Sequence, residues 1–292
     1  MEAETINEYE DFYQINFRKN WENAEVCIVA LTNLRKELEQ TLSNLSESDF
    51  EKYPSIGIIY QLTERVFEHI MGGISCISTK NHASSEVLSR TAIEASVNII
   101  FMLTDSTDNK VCAWLTKHIT EDLQHIIEWE ESLDQNNSHE LDIHLPRITV
   151  RKELNTFKTE FVETLISEIA SVIDIDQSYR WPSKILKKFK DIGEEIIYHT
   201  VYTRLSAQTH LTAEDTISYM VAKIYSNEEH QAKMGLETIA FSEFMLIYSI
   251  VFYGKIAEKF CQKYADQSIE TIKSNINDLE KIMIGIGEQW DW

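Results

Sequence analysis

Apolar residues recur at three- and four-residue spacing along most of this chain, and this periodicity predicts α-helices. The clearest stretches cover residues 6–45, 56–78, 84–104, 110–134, 147–173, 198–210, 229–265 and 267–286. Together with shorter segments between them, they predict an all-α fold, a single bundle of about nine or ten helices that begins with a long N-terminal helix.

The N-terminal helix carries a coiled-coil-like seam at alternating four- and three-residue steps, formed by Ala24, Ile28, Leu31, Leu38, Leu42 and Leu45. Arg35 fills the one polar gap in it. Such a seam packs either on the body of its own chain or on a second copy. We favour the first interpretation because the repeat is short. The expected organisation is an N-terminal helical arm over 1–55 and a helical bundle over 56–292, within one compact domain.

Polar stretches interrupt the helical pattern. Residues 46–55 and 174–182 are predicted loops, and residues 135–146 are the best candidate for a mobile loop. Gly72 and Gly73 fall inside a predicted helix, where glycine is costly. We therefore expect a neighbouring helix to pack closely at this pair, or the helix to kink there.

The composition supports a helical protein and argues against broad nucleic-acid binding. The chain has three prolines and eight glycines, fewer than average. Its net charge of -21 repels phosphate backbones but still allows a small local phosphate site. The four cysteines show no CxxC pairing, so we expect reduced thiols, and we expect neither a metal nor another cofactor.

No sequence feature predicts targeting or a membrane span. The acidic residues 1–12 lack the basic region of a signal peptide. The most apolar run, 244–254, is too short to cross a bilayer and contains two tyrosines and a serine. We therefore expect a core helix there, no membrane association and a cytoplasmic location.

Two predicted helices carry polar side chains that a plain core helix does not need. Both sets repeat at four-residue spacing, and they comprise Arg90, Glu94 and Asn98 in one helix and Tyr202, Ser206 and His210 in the other. A buried charged pair needs partners that offset its desolvation. We therefore expect the two sets to face each other as a polar clamp between helices.

Arg204 lies six residues before His210. On a straight helix the two side chains are about 120° apart around the axis and about 9 Å apart along it. They meet only if the helix bends or ends near His210, or if a second subunit brings them together. Thr212 and Asp215 resemble a capping box, which predicts that one helix ends near His210.

One basic stretch stands out in this acidic chain. It contains Arg180, Lys184, Lys187, Lys188 and Lys190 with no acidic residue between them. One interpretation is a contact with RNA or another anion. The other is a solvated helix face that makes salt bridges to the acidic body, and both interpretations stay open.

The two sets of polar residues resemble an uncharacterised, all-helical bacterial family known only as a domain of unknown function. The resemblance rests on the spacing of Arg90, Glu94 and Asn98 and on that of Tyr202, Ser206 and His210, and it covers roughly residues 60–260. That family has no established activity to carry over.

Arg204 and His210 are also similar to the R-x(4–6)-H motif of the HEPN superfamily. Many HEPN proteins are metal-independent endoribonucleases of toxin–antitoxin and anti-phage defence systems that act as dimers.

The resemblance implies a homodimer with an RNA substrate. It gives His210 the role of acid and base and Arg204 that of a phosphate clamp, with Tyr202 and Ser206 contacting substrate or orienting His210. The basic stretch would hold the RNA backbone. HEPN proteins often have a polar residue after the arginine, where this chain has Leu205.

A non-catalytic function explains the same residues differently. In that hypothesis Arg90, Glu94, Tyr202 and His210 form a structural polar network that fixes helix register. The chain would then be a helical interaction or sensor module in a defence complex. Its acidic surface would suit a basic protein partner.

Overall fold

The computed structural model describes residues 21–135, 137–176, 178–204, 228–265 and 269–289, together with Asn7, Met220 and Ile224. Within them the chain forms ten α-helices and one π-helical turn, with no β-strand. The helices are α1 (Ala24–Asn44), α2 (Glu47–Lys52), α3 (Ile56–Ser78), α4 (His82–Leu103), α5 (Asn109–Glu131), α6 (Ser138–Val172), α7 (Ile185–Asp191), α8 (Glu195–Ile197), α9 (Glu228–Tyr264) and α10 (Glu270–Gln289). The π-helical turn, Tyr198–Tyr202, follows α8 directly. The predicted all-α fold is confirmed.

The chain forms two compact units. The first contains the described parts of residues 1–45, 58–104 and 184–292, and the second those of 46–57 and 105–183. These units divide the chain elsewhere than at the predicted boundary after residue 55. The reason is that α1 packs on α9 and α10, which joins the N-terminal region to the body of the first unit.

Helix α9 is the centre of the first unit, because α1, α4 and α10 all pack against it. Its central residues, including Ile247, Phe252 and Ile256, are fully buried. Helix α3 also approaches α9 closely at the predicted glycine pair. A Cβ built on Gly73 would lie 2.8 Å from Cδ1 of Leu246, so only glycine fits there without a shift.

Helix α9 also contains a segment, Gly235–Tyr264, that is long and apolar enough to cross a membrane by length and composition. The sequence argument that this region is too short was therefore wrong, since the apolar run continues into a helix of 37 residues. Of the most apolar window, 56% is buried inside the protein. Packing against α1, α4 and α10 is the better reason to interpret α9 as a core helix.

The N-terminal helix does not run continuously over 6–45. Helix α1 begins at Ala24, after a turn at residues 22 and 23. Most of the predicted stretch before Trp21 lies outside the described residues. Ile28, Leu31 and Leu38 of the seam are fully buried within the first unit, which is the arrangement we favoured over a contact between two copies.

Helices α5 and α6 pack against each other in the second unit. Ile126, Leu133 and Ile148 form a buried cluster, and Leu141 packs against it. The prediction of a mobile loop over 135–146 was wrong from Ser138 onwards, because α6 begins there. Two interactions stabilise this early helix start. Asn137 caps the helix, since its side-chain oxygen accepts from the Glu140 N–H at 3.2 Å, and Leu141 packs against the buried cluster.

The predicted loop 46–55 contains the short helix α2. The carboxylate of Asp49 accepts from the N–H of Ser46 at 2.9 Å and from its hydroxyl at 2.6 Å. The bond from the Ser46 N–H gives a partner to a donor at the start of the helix, as in a capping box. The same pattern, a serine or threonine followed three residues later by aspartate, was recognised at Thr212 and Asp215. Ser46 with Asp49 is another instance of it in the sequence.

Candidate functional site: a polar network beside Arg204

A stripe of polar side chains runs along one face of α4 and is formed by Glu86, Arg90, Glu94 and Asn98. Their four-residue spacing stacks them above one another on the helix. Elsewhere α4 buries apolar side chains such as Ile93 and Val97 together with small serines. We call these four residues the α4 stripe, and each of them meets a partner inside the first unit.

Tyr202 links the middle of the α4 stripe to the π-helical turn. Its hydroxyl donates to Oε2 of Glu94 at 2.7 Å and accepts from Nη2 of Arg90 at 3.5 Å. The Arg90 guanidinium carbon also lies 5.3 Å from the centre of the Tyr202 ring. Only 6% of Tyr202 is exposed, and burial raises the pKa of its phenol. Tyr202 therefore stays protonated near neutral pH and serves as a donor to Glu94.

Aromatic side chains hold the π-helical turn from the other side. The ring of Phe189, which is fully buried, lies 5.5 Å from that of Tyr202 and 5.6 Å from that of Tyr198. Tyr198 and Tyr202 are themselves stacked at 5.5 Å. An ion pair between Lys255 and Glu194 ties the chain before α8 to α9. The backbone that leads to Arg204 is thus fixed by packing as well as by hydrogen bonds.

Glu86, at the first position of the α4 stripe, is a buried carboxylate. It accepts from the hydroxyl of Ser242 on α9 at 2.5 Å, which offsets part of the cost of burial. Desolvation lowers the pKa of the Arg204 guanidinium. The negative charges of Glu86 and Glu237 oppose this shift. An arginine so placed keeps its charge.

Arg204 lies two residues beyond Tyr202, at the end of this described stretch. Its side chain is exposed, and its guanidinium carbon sits 4.0 Å from the centre of the Phe241 ring. Stacking on an aromatic face restricts the orientation of a guanidinium plane. The arrangement offers a positioned positive charge at the surface, next to a rigid internal network.

Three of the five residues of the basic stretch pair with nearby side chains of the first unit. Lys188 is buried and donates to Oδ1 of Asn98 at 2.7 Å, so it belongs to the network. Lys187 and Lys190 pair with Asp191 and Glu195, each at 3.0 Å. Arg180 and Lys184 complete the stretch: Arg180 lies in the second unit and donates to the Tyr179 carbonyl at 3.2 Å, and Lys184 precedes α7. These local pairs favour the interpretation of the stretch as a helix face that makes salt bridges, and they argue against an open face that binds phosphate.

The structure thus brings Tyr202 to Arg90 and Glu94, and it brings Lys188 to Asn98. Ser206 and His210 lie outside the described residues, as does the predicted helix end near His210. The predicted helix over 198–210 begins as a π-helical turn instead of regular α-helix. Single π-turns inside helices are frequent at functional sites.

Sequence reasoning missed Glu86 and Ser242. Glu86 is four residues before Arg90, so extending the same spacing by one step would have found it. Nothing in the sequence marked Ser242 or Phe241, because their roles depend on how α9 packs on α4. Among the described residues, no group of three or more His, Cys, Asp or Glu side chains is placed to hold a metal ion.

The comparison with protein families gives a direct result. Residues 57–229 match a family of unknown function, DUF5677. The chain belongs to this family. The matched region of this DUF5677 member contains the α4 stripe, the π-helical turn and Arg204, so the predicted resemblance to an uncharacterised helical family is confirmed. No curated protein and no solved structure matches the chain, and no comparison supports the predicted HEPN resemblance.

Proposed function

We propose that this protein is a metal-independent endoribonuclease in which Arg204 and His210 act on the RNA phosphate. The observation that carries the proposal is the position of Arg204. This exposed arginine lies two residues beyond Tyr202, and Tyr202 is held by hydrogen bonds to Glu94 and Arg90. In the sequence, His210 follows at HEPN spacing. The proposal includes a cytoplasmic homodimer that works in bacterial defence or as a toxin.

The proposed chemistry uses the RNA's own 2′-hydroxyl as nucleophile. Its oxygen attacks the adjacent phosphorus while the bond from phosphorus to the 5′-oxygen breaks, which leaves a 2′,3′-cyclic phosphate and a 5′-hydroxyl end. Neutral imidazole accepts the proton of the 2′-hydroxyl, or imidazolium donates a proton to the leaving oxygen, and the ordinary pKa of histidine suits both roles. Arg204 stabilises the charge that grows on the phosphate oxygens.

The network would contribute by positioning, since its members face one another and not the substrate. Tyr202, Arg90 and Glu94 fix the turn before Arg204. Displacing a charge that stabilises a transition state by about 1 Å is enough to lower a rate by about 100-fold. The proposed activity therefore requires this turn to hold Arg204 in position.

The test is cleavage of a mixed single-stranded RNA by the purified chain in EDTA. We expect wild-type cleavage, and a loss of at least about 100-fold in Arg204→Ala and in His210→Ala. Two matched controls change exposed residues of the same types elsewhere: Arg65→Ala, which loses a surface pair with Glu68, and His125→Ala. Unchanged cleavage in either site variant, with normal helical content, contradicts the proposal.

A second candidate function is a non-catalytic interaction module. Two observations favour it: the basic stretch pairs with nearby carboxylates, and the charges of Glu86 and Glu237 act on Arg204, where they compete with a phosphate. In this alternative the acidic chain binds a basic protein partner. It predicts no cleavage by the wild type and salt-sensitive capture of one basic protein by the purified chain.

A further inference from the structure

Helix α6 carries a row of exposed apolar side chains on the side away from its partner helix. Val150, Leu154, Phe157 and Phe161 expose 53, 48, 68 and 66% of their surfaces. We call these four residues the α6 apolar stripe. Single exposed apolar side chains are ordinary, whereas a contiguous row is not, and here two phenylalanines stand one turn apart on the same face.

The face of α6 that packs on α5 is a different one. It is formed by residues seven apart that are all buried, namely Ile148, Asn155, Val162 and Ile169. Seven residues are nearly two turns, so these side chains repeat along one line. The α6 apolar stripe is turned well away from that line, and contact with α5 therefore does not explain it.

Over residues 150–161 the spacing of the stripe is that of a short coiled-coil interface, and unlike the seam of α1 its side chains are exposed. Its members follow steps of four, three and four residues, the repeat that presents alternate a and d positions to a second helix. The flanking residues carry opposite charges on the two sides. Glu153 and Glu160 lie on one side, and Arg151 and Lys158 lie on the other.

These charges favour a particular partner. We propose that the α6 apolar stripe packs against the same stripe of a second copy, with the two α6 helices parallel about a two-fold axis. In that arrangement Glu153 of one copy faces Lys158 of the other, because residues five apart on opposite flanks meet in parallel coiled coils. An antiparallel pair would bring the two glutamate flanks together, which is unfavourable.

Part of the positive flank already has an internal partner. Lys158 donates to Asp122 at 2.7 Å, yet 42% of its side chain remains exposed. An ammonium has three donors, so Lys158 can contact Asp122 and a glutamate of the second copy together. The pair at Asp122 also keeps Lys158 on the correct side of the stripe.

The size of the stripe sets the strength of the dimer. The four side chains expose roughly 400 Å² of apolar surface, taking about 200 Å² for a whole phenylalanine and about 150 Å² for leucine or valine. A stable interface buries about 800 Å² on each partner. The stripe alone supplies about half of that area, so we expect a weak dimer.

The proposal does not rest on the nuclease hypothesis. That hypothesis expects a homodimer but names no surface for it, whereas the stripe lies in the second unit and shares no residue with the network. The readout here is self-association, measured without RNA. A monomer that cleaves RNA would overturn this proposal and leave the nuclease hypothesis standing. A dimer that does not cleave RNA would support this proposal and contradict the nuclease hypothesis.

Sedimentation velocity of the full chain, from about 2 to 200 µM, tests the dimer. We expect a concentration-dependent dimer in the wild type and a monomer throughout the range in Phe157→Glu and Phe161→Glu. The matched control is Ile284→Glu on α10, which changes a residue that is 61% exposed and should leave the dimer intact. A wild-type monomer at the highest concentration, or a dimer that survives both substitutions, overturns the proposal.

A charge variant tests the parallel arrangement without touching the apolar residues. Glu153→Lys places lysine opposite Lys158 and should weaken the dimer about threefold to tenfold. Glu163→Lys makes the same charge change on an exposed position of α6 away from the stripe, and it serves as the control. A stronger dimer in Glu153→Lys than in the control would overturn the parallel arrangement, because it would mean that glutamates face each other.

Discussion

Tyr202 joins a buried part of the protein to an exposed one. Its ring packs against those of Phe189 and Tyr198, and its hydroxyl donates to Glu94. Two residues later the chain presents Arg204. A charge at the surface keeps a fixed position only if the backbone beneath it is fixed. At the scale of single residues, Tyr202 is therefore the one on which the proposed site most depends.

Removing the Tyr202 hydroxyl tests this role. Tyr202→Phe keeps the ring but leaves Glu94 without its 2.7 Å donor, and we expect a loss of about 1–2 kcal/mol in the free energy of unfolding. Urea unfolding followed by circular dichroism measures it. The control is Tyr198→Phe, which keeps the same pair of stacked rings. The Tyr198 hydroxyl makes no hydrogen bond to another described residue, so its loss should cost little. Equal stability of the two variants would contradict the role.

Much of this network could be predicted from residue spacing. Arg90, Glu94 and Tyr202 were candidates because charges and hydroxyls at four-residue steps in apolar helices need partners. The pairing of Lys188 with Asn98 was not predictable, since a lysine in a basic stretch gives no sign that it will be buried. The π-helical turn was also not predictable, because its sequence fits an ordinary helix equally well.

At the scale of helices, the first unit depends on a close approach between α3 and α9. Gly73 allows it, since a Cβ there would lie 2.8 Å from Cδ1 of Leu246, a fully buried side chain that would have to shift. Gly57 lies in the same helix with no atom within 4 Å of the corresponding position. The two glycines of α3 therefore form a matched pair for substitution.

We expect Gly73→Ala to destabilise the protein by about 1–2 kcal/mol. Overpacking costs about 1–3 kcal/mol, and the better helix propensity of alanine returns up to about 1 kcal/mol. Gly57→Ala should be neutral or slightly stabilising for the same propensity reason. Thermal unfolding of both variants beside the wild type checks the difference. A Gly73→Ala protein as stable as Gly57→Ala would mean that α3 and α9 are not in close contact.

The α5–α6 pair should weaken in acid because of Asp122. Its carboxylate accepts from Lys158 at 2.7 Å and lies 3.9 Å from Arg151, and the hydrogen bond from Lys158 is the main reason that its pKa is lowered. A carboxyl with a lowered pKa in the folded state stabilises the protein above its unfolded pKa of about 4. That stability is lost as the pH falls through the folded pKa.

Asp122→Asn should therefore cost about 1 kcal/mol at pH 7 and much less near pH 3. Hydrogen exchange over 109–172, corrected for the intrinsic effect of pH, measures this stability locally. Glu121→Gln is the control, because Glu121 makes only a 3.4 Å surface pair with Lys117. A cost for Asp122→Asn that stays the same at both pH values would show that charge is not the cause.

The start of α6 illustrates why helix boundaries were harder to predict than helices. Residues 135–146 are polar and contain Pro146, which is typical of a loop. The chain is nonetheless helical from Ser138, because the Asn137 cap and the packing of Leu141 outweigh local preference. Such packing is a property of the folded unit and not of the local sequence.

At the scale of the whole molecule, the periodicity predicted an all-α protein correctly but did not predict two compact units. The apolar positions of α5 and α6 have the same spacing whether they pack on each other or on a common core. The net charge of -21 restricts any phosphate contact to a small local site. In the nuclease proposal Arg204 would be part of such a site.

The nuclease proposal makes a claim about the ends of the RNA products. Attack by the 2′-hydroxyl leaves a 5′-hydroxyl on one fragment and a 2′,3′-cyclic phosphate on the other. A metal-activated water that releases the 3′-oxygen would instead leave a 5′-phosphate. The chemistry of the ends therefore separates the proposed mechanism from that of a contaminating metal-dependent nuclease.

The most direct measurement is mass analysis of RNA fragments produced in EDTA by the wild type and by His210→Ala. Our account predicts 5′-hydroxyl and cyclic phosphate ends with the wild type, and an intact RNA with the variant. Fragments with 5′-phosphate ends, or the same fragments from both proteins, would contradict it. An RNA left intact by the wild type would also contradict it and would favour the interaction module.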